Sequence, residues 1–261
     1  MFTKISLSIG VILILAALGC SSPASSILFT SDRDGNLEIY SVNANGEKLT
    51  NLTTTQTNEF APVLSPNRRL VSFLSGDQGN TAVEVMRTDG TERFPLTQAG
   101  AEHSSQEWSP SNDRVAYVRA DGVNSYIYMS STNEQKTALL TSIEGHEVGD
   151  WSGDGSSVAF AVVGGAGQGI YVRNPDGVNE FQVTETPDYS PIWSPDSRRL
   201  AFLSTRDGNP EIYVMDADGA NLKRLTENDA PEYDISWSPN GQSILFVSER
   251  DGNPEIYTIT K

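Results

Sequence analysis

Tryptophan recurs along this chain at a nearly constant interval, and that interval restricts the folds open to it. Trp108, Trp151, Trp193 and Trp237 are each followed by Ser-Pro or Ser-Gly. Leu64 fills the same slot one unit earlier, so successive slots are 44, 43, 42 and 44 residues apart. A fixed period of roughly 20–50 residues is typical of repeat architectures, in which each repeat is one supersecondary unit.

Two further series keep the same period. One runs Phe29, Phe73, Tyr117, Phe160, Phe202 and Phe246. The other lies eleven residues later in five of the six units, as Tyr40, Tyr128, Tyr171, Tyr213 and Tyr257, with Glu84 in that slot of the second unit. We expect these rings to pack between neighbouring units, because a large aromatic side chain buries considerable area.

Each unit has the pattern of four short strands. In the fifth, β-branched and aromatic runs at 191–193, 200–204, 211–215 and 222–226 are separated by polar turn clusters. Pro after Ser presets φ for a type I turn, and Asp-Gly supplies the positive φ of a tight hairpin. No stretch of useful length shows the 3.6-residue period of an amphipathic helix.

The pattern predicts an all-β fold, a six-bladed β-propeller of four-stranded antiparallel blades over residues 27–261. The first unit starts with the second strand of the motif and the last stops after the third. We therefore expect the two terminal blades to be incomplete. Closing the ring would then need tether residues or an exchanged strand to cover the exposed edges.

The motif also carries a family resemblance. Trp-Ser-Pro-Asp from Trp193, Ala-Phe-Leu-Ser from Ala201, and Arg-Asp-Gly-Asn-Pro-Glu-Ile-Tyr from Arg206 resemble the WD40-like (PD40) repeat of the TolB propeller family. Parts of it recur from Trp237 and from Arg33. The resemblance implies a fold like the C-terminal propeller of TolB and a role in envelope protein complexes. We expect the chain to lack the N-terminal α/β domain of TolB, so roles of that domain are not transferred.

The N-terminus differs in composition from the rest. Lys4 precedes an almost unbroken apolar run, Ile5 to Leu18, that ends at Ala17-Leu18-Gly19-Cys20. This resembles the lipobox of a bacterial lipoprotein, with Ala17 where leucine is commonest, and a plain signal peptide or an uncleaved anchor are the alternatives. We expect residues 1–20 to be a signal peptide, residues 21–26 a tether, and Cys20 the lipidated residue. The protein would then be exported and held at the cell envelope by this anchor alone.

Charge restricts the partners. The chain has 18 Lys+Arg against 34 Asp+Glu, a formal net charge of −16. Such a surface repels nucleic acid and polyanionic substrates, and it favours cations, basic partners or simple solubility. Cys20 is the sole cysteine, so we expect no internal disulfide and a monomeric domain held by its core.

The position five residues before each tryptophan slot always holds a side chain that could bind a metal ion or transfer a proton. Its occupants are Glu59, His103, His146, Asp188 and Glu232. Because the innermost strands of a propeller line its axis, we expect these side chains around the channel mouth. They could bind a ligand or a divalent metal, with His103 and His146 as first candidates, or they could cap strand ends around a wet channel.

The turns after the second strands should share that face, because strands alternate in direction. Their candidate contact residues are Arg33, Asp34, Arg206, Asp207, Arg250 and Asp251. These Asp-rich turns lack the alternating oxygen ligands of an EF-hand, so hairpin geometry explains them better than calcium does.

No catalytic motif is present: neither a Gly-x-Ser-x-Gly elbow nor a metalloprotease helix motif occurs. We predict a cell-envelope scaffold that binds an envelope protein or peptide and needs no cofactor. The alternative is a metal-assisted carbohydrate lyase or hydrolase with its site at the channel mouth. A sensor domain for a small ligand is a third possibility.

Overall fold

The predicted propeller blades are present as six antiparallel sheets, one for each repeat. The computed structural model describes residues 26–122, 124–134, 136–141, 146–177 and 179–260. These residues form two compact units, 26–139 and 140–260, with three sheets in each. The all-β, six-bladed fold predicted from the repeat is confirmed.

Three blades make up the first unit. Blade 1 contains β1 (Ser26–Ser31), β2 (Glu38–Asn43) and β3 (Thr50–Asn51). Blade 2 contains β4 (Glu59–Leu64), β5 (Leu70–Asp77), β6 (Asn80–Arg87) and β7 (Phe94–Pro95). Blade 3 contains β8 (Glu102–Trp108), β9 (Arg114–Asp121), β10 (Asn124–Ser131) and β11 (Thr137–Leu139).

The second unit repeats the plan. Blade 4 contains β12 (His146–Trp151), β13 (Val158–Val162), β14 (Gly169–Arg173) and β15 (Glu180–Gln182). Blade 5 contains β16 (Asp188–Trp193), β17 (Arg199–Ser204), β18 (Glu211–Asp216) and β19 (Lys223–Arg224). Blade 6 contains β20 (Glu232–Trp237), β21 (Ser243–Ser248) and β22 (Glu255–Thr260).

Both terminal blades have three strands among the described residues, as expected. Consecutive strands pair within every sheet, so each blade is a simple meander. The outermost strands of blades 1–5 are only two or three residues long. Short edge strands limit unwanted pairing between sheets.

The two periodic ring series meet inside five of the six blades. Phe202 of β17 and Tyr213 of β18 are register partners, and their rings stack with centroids 5.8 Å apart. Four other blades repeat this pair, as Phe29–Tyr40, Tyr117–Tyr128, Phe160–Tyr171 and Phe246–Tyr257. The rings face the neighbouring blade as well: Phe202 and Tyr213 share a core cluster with Ile170 of blade 4.

The tryptophans join consecutive blades. Trp193 packs in that same cluster between blades 4 and 5. The Trp237 indole N–H donates to the Ile192 carbonyl of the preceding blade at 3.3 Å, and Trp108 donates to the Val63 carbonyl at 3.1 Å. These two rings fill space between blades and their N–H groups find backbone acceptors, whereas the buried indole N–H groups of Trp151 and Trp193 have no hydrogen-bond partner in the structure. This is the interblade packing expected from the repeat.

Each first strand of blades 2–6 contains a bulge that the sequence did not reveal. The pairing register shifts in the middle of β4, β8, β12, β16 and β20. Four of the bulges contain a non-glycine residue at positive φ, namely Ala61, Ser105, Ser190 and Asp234. Such a conformation costs about 1 kcal/mol or more, and it persists only where the surrounding structure imposes it. The bulge bends the strand and strengthens its local twist.

The structure contains strands and turns but no helix among the described residues. Accordingly, none of these residues belongs to a helix that is long and apolar enough to cross a membrane. Cys20 and the segments proposed as signal peptide and tether lie outside the described residues, apart from Ser26, with which β1 begins.

Candidate functional site

The turns after the second strands do lie at the same end of a blade as the starts of the first strands. In blade 5, Arg206 follows β17 and Asp188 opens β16, and their Nη2 and Oδ2 atoms are 2.7 Å apart. This follows from antiparallel pairing, because alternate connections of a meander lie at the same end. We call this end of each blade its loop end.

An ion pair between these two positions recurs in blade 6. Asp188 and Glu232 are 1% exposed, and Glu232 Oε1 lies 2.5 Å from Arg250 Nη2. Arg206 and Arg250 also lie over the rings of Tyr213 and Tyr257, with guanidinium carbons 4.6 and 4.7 Å from the centroids. A guanidinium over an aromatic face is stabilised by the ring quadrupole. Both arginines therefore bind the acidic residue and the ring stack of their own blade.

Burial works against the charge of Glu232. Burial raises the pKa of this carboxyl, while Asn228 and Arg250 act in the opposite direction. Its Oε2 atom and Asp188 Oδ1 are buried without a hydrogen-bond partner in the structure. Such acids are held in place by their arginines, and removing an arginine would leave an uncompensated buried charge.

Blades 1 and 2 each keep part of this arrangement: blade 1 keeps the arginine over the ring stack, and blade 2 keeps the buried acid paired with an arginine. Arg33 lies 4.6 Å from the centroid of Tyr40, and its Nε donates to Ser31 Oγ at 3.0 Å. In blade 2 the fully buried Glu59 pairs with Arg93 at 3.1 Å. Arg93 also binds Glu84, the residue that replaces tyrosine in the ring series, so a carboxylate–arginine pair stands there in place of a ring stack.

Aspartates of the turns are oriented outward by tyrosine hydroxyls. Asp34, Asp207 and Asp251 are exposed, and each accepts a hydrogen bond from the tyrosine of its blade. Burial and the hydrogen bond to Asp207 raise the pKa of Tyr213 to about 12. The pKa of Tyr257 is likewise raised to about 12, chiefly by its bond to Asp251. These hydroxyls stay protonated at physiological pH and hold the carboxylates at the surface.

His103 occupies the acidic position in blade 3 and is 3% exposed. Its Nδ1 lies 2.8 Å from the Thr81 carbonyl oxygen, and its ring centroid is 5.5 Å from that of Tyr117. Burial lowers the pKa of its imidazole. A neutral ring with Nδ1–H bonded to a carbonyl leaves Nε2 as the only ring atom able to bind a metal.

His146 opens β12, at the position predicted for it, but its side chain is outside what the structure describes. Among the described side chains, no three His, Cys, Asp or Glu residues are grouped as a metal site would require. A metal bound through His103 and His146 stays a prediction.

A second buried acid at the loop end was missed from the sequence. Glu38, Glu211 and Glu255 precede Ile-Tyr at the start of the third strands and are at most 4% exposed. Glu211 Oε1 accepts from Arg224 Nη2 at 3.1 Å and from the Asn228 backbone N–H at 2.8 Å. It therefore fixes the loop that leads from blade 5 to blade 6. The sequence signal that could have found these residues was the repeated Glu-Ile-Tyr, in which the glutamate precedes two large apolar residues.

Exposed charge at the loop end of blades 5 and 6 is almost all negative. Its exposed carboxylates are Glu185, Asp207, Glu227, Asp229, Glu249 and Asp251. The arginines there, Arg206, Arg224 and Arg250, each pair with a buried carboxylate and have side chains only 19–27% exposed. Arg224 Nη1 also lies 3.5 Å from Oδ2 of the exposed Asp207. At the opposite end of the same blades, the exposed carboxylates in the turns are Asp196 and Asp218, with Arg198 nearby. The loop end thus presents a mainly acidic surface, and the exposed Lys223 lies next to Arg224 in β19.

Comparison with known proteins supports the repeat assignment. Residues 186–261 match the PD40 family model, described as the TolB beta propeller domain. A stretch of 137 residues, 52% of the chain, is 29% identical to a protein TolB homolog of Chlorobium luteolum (strain DSM 273 / BCRC 81028 / 2530). The match spans 31% of that relative's length, which is well under half of it.

Two solved structures share the fold. The crystal structure of TolB from Acinetobacter baumannii superposes with a TM-score of 0.65 at 16% identity, covering 86% of this chain and 60% of that one. An oligogalacturonate lyase in complex with manganese also gives a TM-score of 0.65 at 16% identity, covering 90% and 86% of the two chains. Likeness at this identity concerns the fold alone, because one fold serves many functions. The six repeats, the PD40 match over residues 186–261 and the six sheets together show that this chain is a six-bladed β-propeller similar in fold to the propeller of TolB.

Proposed function

We propose that this protein is an exported, lipid-anchored scaffold of the cell envelope that binds a basic segment of another envelope protein at the acidic loop end of blades 5 and 6. The similarity to TolB and its homologue supports the envelope setting. One observation supports the site. The exposed carboxylates gather at this end, while its arginines are used in internal ion pairs.

The electrostatics favour a cationic partner. Asp207 and Asp251 are exposed at the surface, and tyrosine hydroxyls fix their orientation. A preoriented acidic surface raises the rate of association with a basic partner and repels acidic ones. Because each exposed charge contributes less than about 1 kcal/mol, several must act together. Salt should weaken the complex, since exposed charges are screened over about 8–10 Å at physiological ionic strength.

The binding experiment compares two matched double variants. Asp207→Asn/Asp251→Asn removes two charges at the loop end, and Asp196→Asn/Asp218→Asn removes two at the opposite end. Each asparagine keeps an oxygen that can accept the local hydrogen bond. Immobilised protein is used to capture partners from detergent-solubilised envelopes, and the captured protein is then purified and titrated.

We expect the loop-end variant to bind the captured protein on the order of tenfold more weakly, the opposite-end variant to bind like wild type, and binding to weaken with salt. Equal affinity for the two variants would disprove the acidic site.

Anchoring has its own test. Labelled palmitate should be incorporated into the full chain, and Cys20→Ala should abolish incorporation and release the protein from the membrane fraction. Incorporation of palmitate into the Cys20→Ala variant, or no incorporation into the wild-type protein, would refute the lipid anchor. Loop-end binding does not depend on this result.

A further inference from the structure

We propose that blades 1–3 face the membrane with the end opposite their loop end, where exposed basic residues bind anionic phospholipid headgroups. The inference rests on the lipid anchor of the proposed function and adds to it the orientation of the anchored protein. This surface comprises the turns after the first and third strands of these blades, and we call it the arginine end. Its exposed basic residues are Lys48, Arg68, Arg69, Arg87, Arg114 and Lys136.

Exposed charge differs in sign between the two ends of this unit. At the loop end of blades 1–3 the exposed carboxylates are Asp32, Asp34, Asp77, Glu102 and Asp121, and the exposed basic residue is Arg33. The partly exposed Arg119 pairs there with Asp121 at 3.3 Å. At the arginine end the six basic residues stand against four exposed carboxylates, Glu47, Asp89, Glu92 and Glu134. An anionic lipid surface therefore repels the loop end of these blades and attracts their arginine end.

Three of these arginines form no ion pair with a described residue. Arg68 and Arg69 are exposed in the turn between β4 and β5, and Arg114 is exposed at the start of β9. The neighbouring Asp113 is partly buried and accepts a hydrogen bond from the Ser109 hydroxyl at 3.1 Å. A guanidinium can bind a phosphate through two parallel hydrogen bonds, so these side chains are suited to lipid headgroups.

The turn between β4 and β5 holds an arginine where other blades have smaller residues. Arg68 has a φ of +58°, a left-handed conformation that is uncommon for a bulky residue. The equivalent residues of blades 3–6, also at positive φ, are Asn112, Gly155, Ser197 and Gly241. An exposed arginine without an ion pair at such a position is accounted for by binding outside the molecule.

β1 begins at the arginine end. Its first residue, Ser26, pairs with Asn43, which lies beside the turn between β2 and β3. Residues 21–25 connect Ser26 to Cys20, and a chain of that length spans at most about 20 Å when fully extended. A lipid on Cys20 therefore holds this end of blade 1 within about 20 Å of the bilayer surface.

The basic turn of blade 2 lies next to this entry point. Leu28 of β1 packs against the cluster that contains Val71 and Met86, which lie beside the basic residues of blade 2. The Asn67 N–H donates to Asn112 Oδ1 at 2.7 Å, and this bond joins the corresponding turns of blades 2 and 3. The anchor and the basic residues are thus at the same end of one unit, and the loop end of blades 1–3 is turned away from the membrane.

Energy transfer from labelled cysteines to the bilayer tests this orientation. Cys20 is the sole cysteine and carries the lipid, so a substituted cysteine provides the thiol to label. Ala44→Cys places a fluorophore at the arginine end, and Gln78→Cys places one at the loop end of the same unit. The full lipidated chain is reconstituted in vesicles of phosphatidylcholine that carry an acceptor on their headgroups. In parallel vesicles, phosphatidylglycerol replaces about a third of the phosphatidylcholine.

With phosphatidylglycerol, we expect transfer from the Ala44→Cys probe to rise about twofold and transfer from the Gln78→Cys probe to fall, because each basic residue near an anionic surface favours this orientation. Arg68→Glu/Arg69→Glu should remove both changes, and Arg68→Lys/Arg69→Lys should keep them. Salt at about 1 M, which shortens the screening length to about 3 Å, should also remove them.

The matched control is Arg198→Glu/Arg199→Glu, which makes the same change in net charge in the corresponding turn of blade 5 and should keep both changes in transfer. Equal loss in the two glutamate variants would show that net charge alone sets the orientation, and it would overturn the proposal. If the Arg68→Glu/Arg69→Glu variant responds to phosphatidylglycerol like wild type but no longer captures an acidic envelope protein, the surface belongs to a protein partner and the proposal is wrong.

Palmitate incorporation distinguishes failure of this inference from failure of the anchor. A palmitoylated protein whose two probes do not respond to phosphatidylglycerol would overturn the orientation and leave the anchor intact. A protein without palmitate would overturn both.

Discussion

Blades 4 and 5 have the same strands but different loop ends. Both contain four strands, and both stack a phenylalanine on a tyrosine, with centroids 5.4 Å apart for Phe160–Tyr171 and 5.8 Å for Phe202–Tyr213. In blade 5 the turn after the second strand places Arg206 over that stack and Asp207 on the Tyr213 hydroxyl. Blade 4 has a glycine-rich turn there, residues 163–168, with no charged residue.

In blade 4 the tyrosine hydroxyl has a different hydrogen-bond partner. The Tyr171 hydroxyl donates to the Gly167 carbonyl at 2.8 Å. Gly167 has a φ of +96°, which glycine adopts at little cost, so the turn can bring that carbonyl to the hydroxyl. The ring stack and a partner for the hydroxyl are thus common to both blades, whereas the charges are not. The ring stack thus stabilises both blades, whereas the exposed charges differ between their loop ends.

The largest effect should come from the shared stack. Phe160→Ala and Phe202→Ala each remove a fully buried ring, and we expect each to lower the free energy of unfolding by about 3–5 kcal/mol. Urea unfolding followed by circular dichroism measures both. Since the stack is common to the two blades, the two losses should agree within about 1 kcal/mol. A much smaller loss of unfolding free energy in one blade would show that the ring stack does not stabilise the two blades equally.

The Asp188–Arg206 ion pair of blade 5 should have the next largest effect. Asp188→Ala leaves Arg206 without its buried carboxylate, and we expect a loss of about 2–4 kcal/mol in urea unfolding. The double variant Asp188→Leu/Arg206→Met should lose less than Asp188→Ala, because it leaves no unpaired charge. A double variant that is less stable than Asp188→Ala would contradict this account.

Blades 4 and 5 also meet through a carboxylate whose stability effect depends on pH. Asp150 Oδ2 accepts the Trp193 backbone N–H at 2.9 Å, and burial raises the pKa of this carboxyl to about 7. Because the folded-state pKa lies above the unfolded value, the folded form binds the proton more tightly and stability falls as pH rises from about 4 to 7. Asp150→Asn keeps the acceptor and removes the charge.

We expect Asp150→Asn to match wild type near pH 4 and to exceed its unfolding free energy by on the order of 2 kcal/mol at pH 8. Thermal unfolding across this pH range measures the gap. A gap that does not change with pH would show that Asp150 does not titrate in this way.

The tyrosine hydroxyls should give the smallest effect. Tyr213→Phe removes a bond to a carboxylate, and Tyr171→Phe removes a bond to a neutral carbonyl. Hydrogen bonds to charged groups are the stronger, so we expect losses of about 1.5 kcal/mol and about 1 kcal/mol respectively. Urea unfolding of the two variants in parallel measures the difference. The reverse order would mean that the charge of Asp207 does not strengthen its bond.

The sequence determined more about the turns of the blades than about the buried acidic residues. Asp-Gly and Ser-Pro pairs located the hairpins, because backbone φ requirements restrict which residues fit there. Asp188 and Glu232 were found through the repeat, but a sequence pattern does not distinguish a buried ion pair from an open ligand site. That distinction depends on Arg206 and Arg250, which are 18 residues further along the chain and reach the acids only after two strands have paired.

The number of blades and the strand order followed from the period alone, because each repeat is a local unit whose hydrophobic pattern fixes its own pairing. Tertiary structure alone decided two other features: the bulges in the first strands and the use of the turn arginines within their own blades. Each depends on groups brought together from different strands or blades. Local sequence specifies a blade, and the contacts made after folding determine which charged side chains are paired within it and which are exposed.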